Sequence, residues 1–324
     1  MNKLFTTALV LAALTACKKK PADKAETKGS ADMAAASDAA AVAVDAALPP
    51  WDGKTELSLT EGFATPESVL YDADADVYLV SNINGTPHDA DDNGYIAKVS
   101  PEGKVTEGKW IDGAKDNVKL DAPKGMAIVN GILYVSDISV VRKFDVKTGE
   151  PKGEIKVDGA TFLNDVAAAP DGGVYVTDSG LDPKFASTGT DAVYLIGKDD
   201  KVKALIKDKG LSGPNGITAG DKGVVWVVTF GSGEIYAVDA KGKKAAGQKL
   251  PKGQNDGVVA LAGGDLLVSS WEGSAIYRGK PGGEWKPVVE NVKSPADIGY
   301  DTKRHRILIP SFEGNTVILQ PVTP

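Results

Sequence analysis

The sequence predicts an all-β chain folded as a six-bladed β-propeller with four-stranded blades, and three observations carry the prediction. A unit of about 40 residues recurs six times, which is the signature of a propeller array. Within each unit the strand cores are nearly continuous apolar runs, as in strands covered on both faces by stacked sheets. Gly and Asp clusters separate those runs at turn positions.

The stretch 211–239 shows the grammar most plainly: Pro214-Asn215-Gly216-Ile217 opens a first strand, Val224 to Thr229 form a second and Glu234 to Val238 a third. The same opening returns as Pro66-Glu67-Ser68-Val69, Pro123-Lys124-Gly125-Met126, Leu163-Asn164-Asp165-Val166, Asn255-Asp256-Gly257-Val258 and Pro295-Ala296-Asp297-Ile298. The second residues of successive tetrads are 57, 40, 51, 41 and 40 positions apart, so the first and third units carry insertions. Second strands align at 77–81, 133–137, 174–178, 225–229, 266–270 and 306–310, and third strands at 95–99, 140–145, 193–196, 235–238, 275–278 and 316–319. Fourth strands are expected at 104–111, 154–157, 202–206, 244–250 and 285–289, but the sixth unit ends without one. Thr55-Glu56-Leu57-Ser58-Leu59 alternates polar and apolar residues and is otherwise unassigned. It is expected to pair as the outer strand of the last blade and close the ring.

Composition sets the broad class. The chain has 324 residues, 37 Gly, 18 Pro and a formal charge of −7, which fits a soluble, turn-rich β protein. The acidic balance leaves no basic stripe for phosphates, so nucleic acid is not the expected partner. The one cysteine, Cys17, follows a charged start and an apolar run from Leu4 to Ala16. That run is too short to span a bilayer and suits a signal-peptide core. Leu14-Thr15-Ala16-Cys17 resembles the bacterial lipobox, which implies cleavage after residue 16 and lipid on Cys17. Acylation there would anchor the protein to a membrane of the bacterial cell envelope. In a Gram-negative cell, Lys18 after the cysteine, rather than Asp, points to the outer membrane by analogy with lipoprotein sorting. Residues 17–50 are rich in Ala, Lys and Asp with no aromatic residue, and read as a disordered tether. The propeller is expected to occupy 51–324.

In a propeller the first strands line the central channel, and their starting residues converge at one end of it. The tetrad second positions therefore form a ring of Glu67, Lys124, Asn164, Asn215, Asp256 and Ala296. Four of the six carry side-chain oxygen. Two carboxylates and two amide carbonyls suit a hard divalent cation, Ca²⁺ first, with Mg²⁺ or Mn²⁺ possible. They do not suit Zn²⁺, which prefers His and Cys; the two histidines, His88 and His305, are expected elsewhere. Converging carboxylates with neither cation nor proton would be costly.

The order Glu, then Asn-Asp, then Pro-Asn-Gly, then Asp-Gly, one per blade, resembles the SMP-30/gluconolactonase/LRE-like family, which includes the regucalcin-type lactonases. The resemblance covers roughly residues 63–319. It implies that Glu67, Asn215 and Asp256 are metal ligands, and that Asn164 binds metal or substrate. It also implies metal-assisted hydrolysis of a lactone or related ester, with Asp256 as catalytic base or nucleophile. The sequence departs from the pattern at Phe162, where the sugar lactonases carry Arg. Lys124 falls within the ring, where an ammonium either opposes a cation, pairs with a carboxylate, holds an anionic substrate or points into solvent. The tetrads also resemble those of NHL-type propellers, whose members mostly bind partners. The alternative is therefore a non-catalytic propeller for a protein or envelope ligand.

Other features are weighed against that site. Asp89-Ala-Asp-Asp-Asn-Gly94 matches the opening of a Ca²⁺ loop, but its twelfth position is Ser100, so it reads as an acidic inter-strand loop. Residues 179–191 are either a lid or a plain long connection. Trp110, Trp226 and Trp285 read as core, whereas Trp271 lies just past a second strand, where it could face a ligand. No Ser-His-Asp set and no phosphate-binding loop is present.

Overall fold

The computed structural model describes residues 53–323. Six four-stranded antiparallel sheets follow one another around a ring. The first strands are Pro66–Asp72, Pro123–Val129, Leu163–Ala168, Pro214–Ala219, Asn255–Ala260 and Gly299–Asp301. Leu57–Leu59 completes the sixth sheet by pairing antiparallel with the last strand, Leu57 opposite Leu319 and Leu59 opposite Val317. The ring is thus closed by chain from its two ends.

The apolar runs have a simple destination. Each of six hydrophobic clusters fills the gap between two neighbouring blades. Val141 and Ile155 of blade 2, for instance, pack with Val174 and Tyr194 of blade 3. Leu57 and Leu59 pack with Val69 and Tyr78 of blade 1 and Leu319 of blade 6. Polar contacts reinforce this seam. Asp76 of blade 1 accepts from Arg304 and Lys303, and Tyr78 donates to Asp301 at 2.6 Å.

Two boundaries differ from expectation. The outer strand of blade 4 is only Gln248–Lys249, with one isolated bridge at Lys244. The Lys, Gly and Ala residues before it have low strand propensity. In blade 6 the first strand begins at Gly299, because the chain at Asp297 pairs in parallel with Ser68 of blade 1 instead.

The feature that positions the site is a recurrent irregularity. In the first five blades the pairing of first and second strands slips inside the tetrad, between Pro66 and Ser68 and at the matching places up to Asn255 and Val258. Such bulges re-aim side chains. Here the slip falls on or directly beside Glu67, Lys124, Asn164, Asn215 and Asp256. A hydroxyl clasp holds it: Thr177 donates to the carbonyl of Asn215 in the next blade at 2.6 Å and accepts from the N–H of Asp165 in its own at 2.9 Å. Ser269 does the same between Gly257 and Ala296.

In blades 2, 4 and 5 the neighbouring blade approaches so closely that the third tetrad position, Gly125, Gly216 or Gly257, has no room for a Cβ. A Cβ on Gly216 would lie 2.2 Å from the Asp256 carbonyl oxygen. We expect Gly216→Ala to destabilise the protein by about 3 kcal/mol, the upper range for overpacking. That lowers Tm by roughly 5–10 °C, whereas Gly108→Ala, where a Cβ would meet nothing within 4 Å, should leave the melt nearly unchanged.

Candidate metal and substrate site

Glu67, Lys124, Asn164, Asn215 and Asp256 are all buried, each at 5% exposure or less, at the start of five different first strands. Four of them present an oxygen that nothing among the described residues satisfies. Glu67 Oε2, Asn164 Oδ1, Asn215 Oδ1 and Asp256 Oδ1 are inaccessible and accept no hydrogen bond. The Asn164 amide is oriented by its own nitrogen, which donates to Ser179 Oγ at 3.1 Å, leaving the oxygen free. A buried unsatisfied acceptor costs about 1–3 kcal/mol, and four from four blades are not incidental. Ala296, the sixth member, contributes no donor atom.

The carboxyl groups of this end of the ring are close enough to raise one another's pKa. Burial pushes the Glu67 pKa well up, and the charges of Asp256 and Asp297, from blades 5 and 6, push it further. Asp256 is raised by burial and then by Asp297, against a small opposing pull from the Trp271 indole N–H. That N–H has no partner at hydrogen-bonding geometry, so it lies near the carboxyl without engaging it.

Behind this ring is a second acidic layer. Asp165 accepts from the N–H of Ile217 at 2.7 Å and of Val166 at 2.6 Å, and burial raises its pKa. Asp297 accepts from Ser68 Oγ at 2.5 Å, and burial raises it to about 7. Ser68, Asp165 and Asp297 cap the inner end of a channel of about 430 Å³ that runs between the first strands toward the far face.

A pH dependence follows. An acid whose folded pKa is raised contributes stability that is full below its unfolded pKa and is lost as pH rises through the folded value. Glu67, Asp165, Asp256 and Asp297 all act in this sense. His88 and Lys124, whose pKa values burial lowers, act in the opposite sense, but they are two groups against four and Lys124 titrates only near pH 8. Metal-free protein in chelator should therefore melt at a higher temperature at pH 5 than at pH 8, measured by differential scanning fluorimetry. An equal or higher melt at pH 8 contradicts the clustering.

Lys124 does not point into solvent. Its ammonium is buried at the ring and donates to the carbonyls of Pro87 at 3.1 Å and Ala122 at 3.0 Å. It also lies 4.5 Å from the centre of the Phe162 ring. Burial lowers its pKa to about 8 against the opposing pull of Glu67. Among the described residues it has no ion pair within 4 Å, and one of its N–H bonds remains for a further acceptor.

Pro87 belongs to the first-unit insertion, which does overhang the channel mouth. Its neighbour His88 stacks on Phe162 at 4.5 Å, meets Phe185 at 5.4 Å, and reaches the carbonyl of Leu181 at 3.4 Å. The insertions of blades 1 and 3 thus meet above Lys124. The sequence reading placed His88 away from the site, whereas it roofs one side of it. Across the mouth, Phe230, Trp271 and Phe312 form a contiguous aromatic row at 5.5 and 5.3 Å. Only Trp271 was singled out from sequence. Yet the three residues follow the second strands of blades 4, 5 and 6 at a spacing of 41, and that spacing was a readable signal.

Among the described residues no group of three or more His, Cys, Asp or Glu side chains is arranged to hold a metal ion. The ring has only two such side chains, Glu67 and Asp256, and its other two oxygens are amide carbonyls. That donor set is hard, oxygen-only and partly neutral, and fits an alkaline-earth-type cation. Cys17, the proposed leader and the 17–50 tether lie outside the described residues.

No known family profile matches the chain, and no curated protein does. Solved structures with the same architecture do. A gluconolactonase from Xanthomonas campestris superposes with a TM-score of 0.65 at 18% identity, over 83% of this chain and 89% of its own. Virginiamycin B lyase from Staphylococcus aureus gives 0.56 at 18%, over 83% and 99%. A streptogramin B lyase gives 0.57 at 12%, over 83% and 97%. At these identities the likeness is one of fold.

Proposed function

We propose that this propeller is a divalent-cation-dependent hydrolase that opens a lactone or related ester at the mouth of its central channel. The observation that carries the reading is the set of four buried, unsatisfied oxygens supplied by four separate blades. The gluconolactonase among the fold neighbours is compatible with it. Glu67, Asn164, Asn215 and Asp256 would hold the ion, Ca²⁺ before Mg²⁺ or Mn²⁺. When bound, such a cation supplies Lewis acidity that polarises a carbonyl and offsets charge developing on its oxygen.

The chain's own groups do the rest. Asp256 would take a proton from the attacking water as the new C–O bond forms. The ring C–O bond breaks, and the same proton passes to the departing alkoxide. Lys124 offers its remaining N–H to the substrate oxygen, and Asn164 borders the same space. The roof of Pro87, His88 and Phe162 excludes water from the side of blades 1 and 3.

The test is metal analysis of the purified protein followed by a lactone and ester panel with and without chelator. Chelator-sensitive turnover is expected. A bound ion with no turnover on any lactone, ester or phosphotriester would instead favour a non-catalytic propeller for an envelope ligand or protein.

The location is part of the proposal. Residues 1–17 support a lipoprotein with Cys17 acylated and the propeller held at the envelope, in the outer membrane. Cys17→Ser should move the protein from the membrane to the soluble fraction on fractionation. An unchanged membrane share would refute the anchor.

A further inference from the structure

We infer that the substrate presents a flat apolar or aryl group to the mouth, and is not a polyhydroxylated sugar lactone. The inference rests on the hydrolase reading above and narrows its substrate class.

Phe230, Trp271 and Phe312 occupy one structural position in three successive blades. Each directly follows a second strand, and each donates its backbone N–H to the residue before or near the tetrad of its own blade: to Gly213, Gln254 and Ser294 at 3.1, 3.0 and 3.0 Å. The same bond is made by Ile83 to Thr65 in blade 1 and by Ser179 to Phe162 in blade 3. This position therefore stands beside the tetrad in five of the six blades, and in three of them it is aromatic. The three rings touch edge to face and tilted, and none is fully buried. Trp271, the middle ring of the row, lies near the Asp256 carboxyl, so the row is centred beside the proposed reacting bond.

The opposite lip is built alike. Phe185 is 56% exposed, one of two large hydrophobic side chains so exposed among the described residues. Its backbone is held at φ 58°, a left-handed conformation unfavourable for a bulky residue, by its N–H bond to Asp182 at 2.8 Å. Strain of this kind, spent to hold an apolar ring in the open beside Phe162 and His88, marks a contact surface. The one cation at the ring, Lys124, gives two of its donors to backbone carbonyls. Among the described residues, the third Lys124 N–H and the Trp271 indole N–H are free donors at the site, few for a polyhydroxylated ring, whereas aromatic faces on two sides suit an apolar group.

The test compares two lactams, which resist hydrolysis, by calorimetry on the Ca²⁺-loaded full chain: aryl 3,4-dihydroquinolin-2-one and hydroxylated gluconolactam. The aryl lactam should bind at least about tenfold tighter, as two good aromatic contacts would give. Phe230→Ala and Trp271→Ala should each reduce that ratio several-fold. Equal binding, tighter gluconolactam binding, or a ratio unmoved in both variants would overturn the inference, and the first two need no variant to fold. Hydrolysis of dihydrocoumarin and gluconolactone is scored separately. Aryl-lactam binding with no turnover of either lactone sinks the hydrolase reading alone. Gluconolactone turnover without aryl preference sinks this inference alone.

Discussion

Asp256→Ala should abolish cation binding, lower kcat/KM by at least about 10³-fold, and still raise the melting temperature of the metal-free protein at pH 8. The three effects share one cause. Asp256 is buried, its Oδ1 has no partner, and it pushes up the pKa of Glu67 across the channel. A carboxylate in that setting is a cost that only a cation or proton offsets. Removing it relieves the metal-free fold, as is common where stability is exchanged for function. A scan of melting temperature against Ca²⁺ with and without chelator reads both sides. Wild type should gain stability with the logarithm of free Ca²⁺, and the variant should start higher and stay flat. A variant that melts lower than metal-free wild type, or that still responds to Ca²⁺, contradicts this account of Asp256.

Removing residues 51–62 should lower the melting temperature by roughly 10 °C or more. The segment carries Leu57–Leu59, the outer strand of the last sheet. It places two leucines against Val69, Tyr78 and Leu319, at the seam between blades 1 and 6. Partial burial of two leucines and loss of a paired strand amount to about 3–5 kcal/mol, and each kcal/mol is worth about 2–4 °C in a domain of this size. The point variant Leu57→Asp/Leu59→Asp tests the same contact without shortening the chain. Asp76→Asn at the same seam should cost less, about 1 kcal/mol, since its partners Lys303 and Arg304 are partly exposed. A melt unchanged by the deletion would show that the ring closes without this strand.

The parts of the fold legible in sequence were those that repeat. Tetrads at regular spacing located the first strands, and the missing fourth strand of the sixth unit pointed to Leu57–Leu59. The ring members were chosen because a propeller brings equivalent positions to one end, and five of the six are buried at the starts of first strands. What did not repeat was harder to read. Blade 6 replaces the bulge with a parallel bridge from Asp297 to Ser68, so the acid that matters there is the third tetrad residue and not Ala296. The course of the Lys124 side chain stayed open in sequence because the two carbonyls that hold it come from Ala122 and from the insertion at Pro87. Insertions carry no period from which their path could be read. His88 was misplaced for the same reason. The aromatic row was legible in principle, since the residues after the second strands keep the repeat, but those positions lie outside the strand pattern.

The most direct measurement is an anomalous difference map from crystals grown with Mn²⁺ in place of Ca²⁺. One peak per chain on the channel axis, within coordination distance of Glu67, Asn164, Asn215 and Asp256 and absent in Glu67→Ala, is the expected result. A map with no axial peak, or with those four side chains turned to protein partners, would contradict the claim that they converge on one ion.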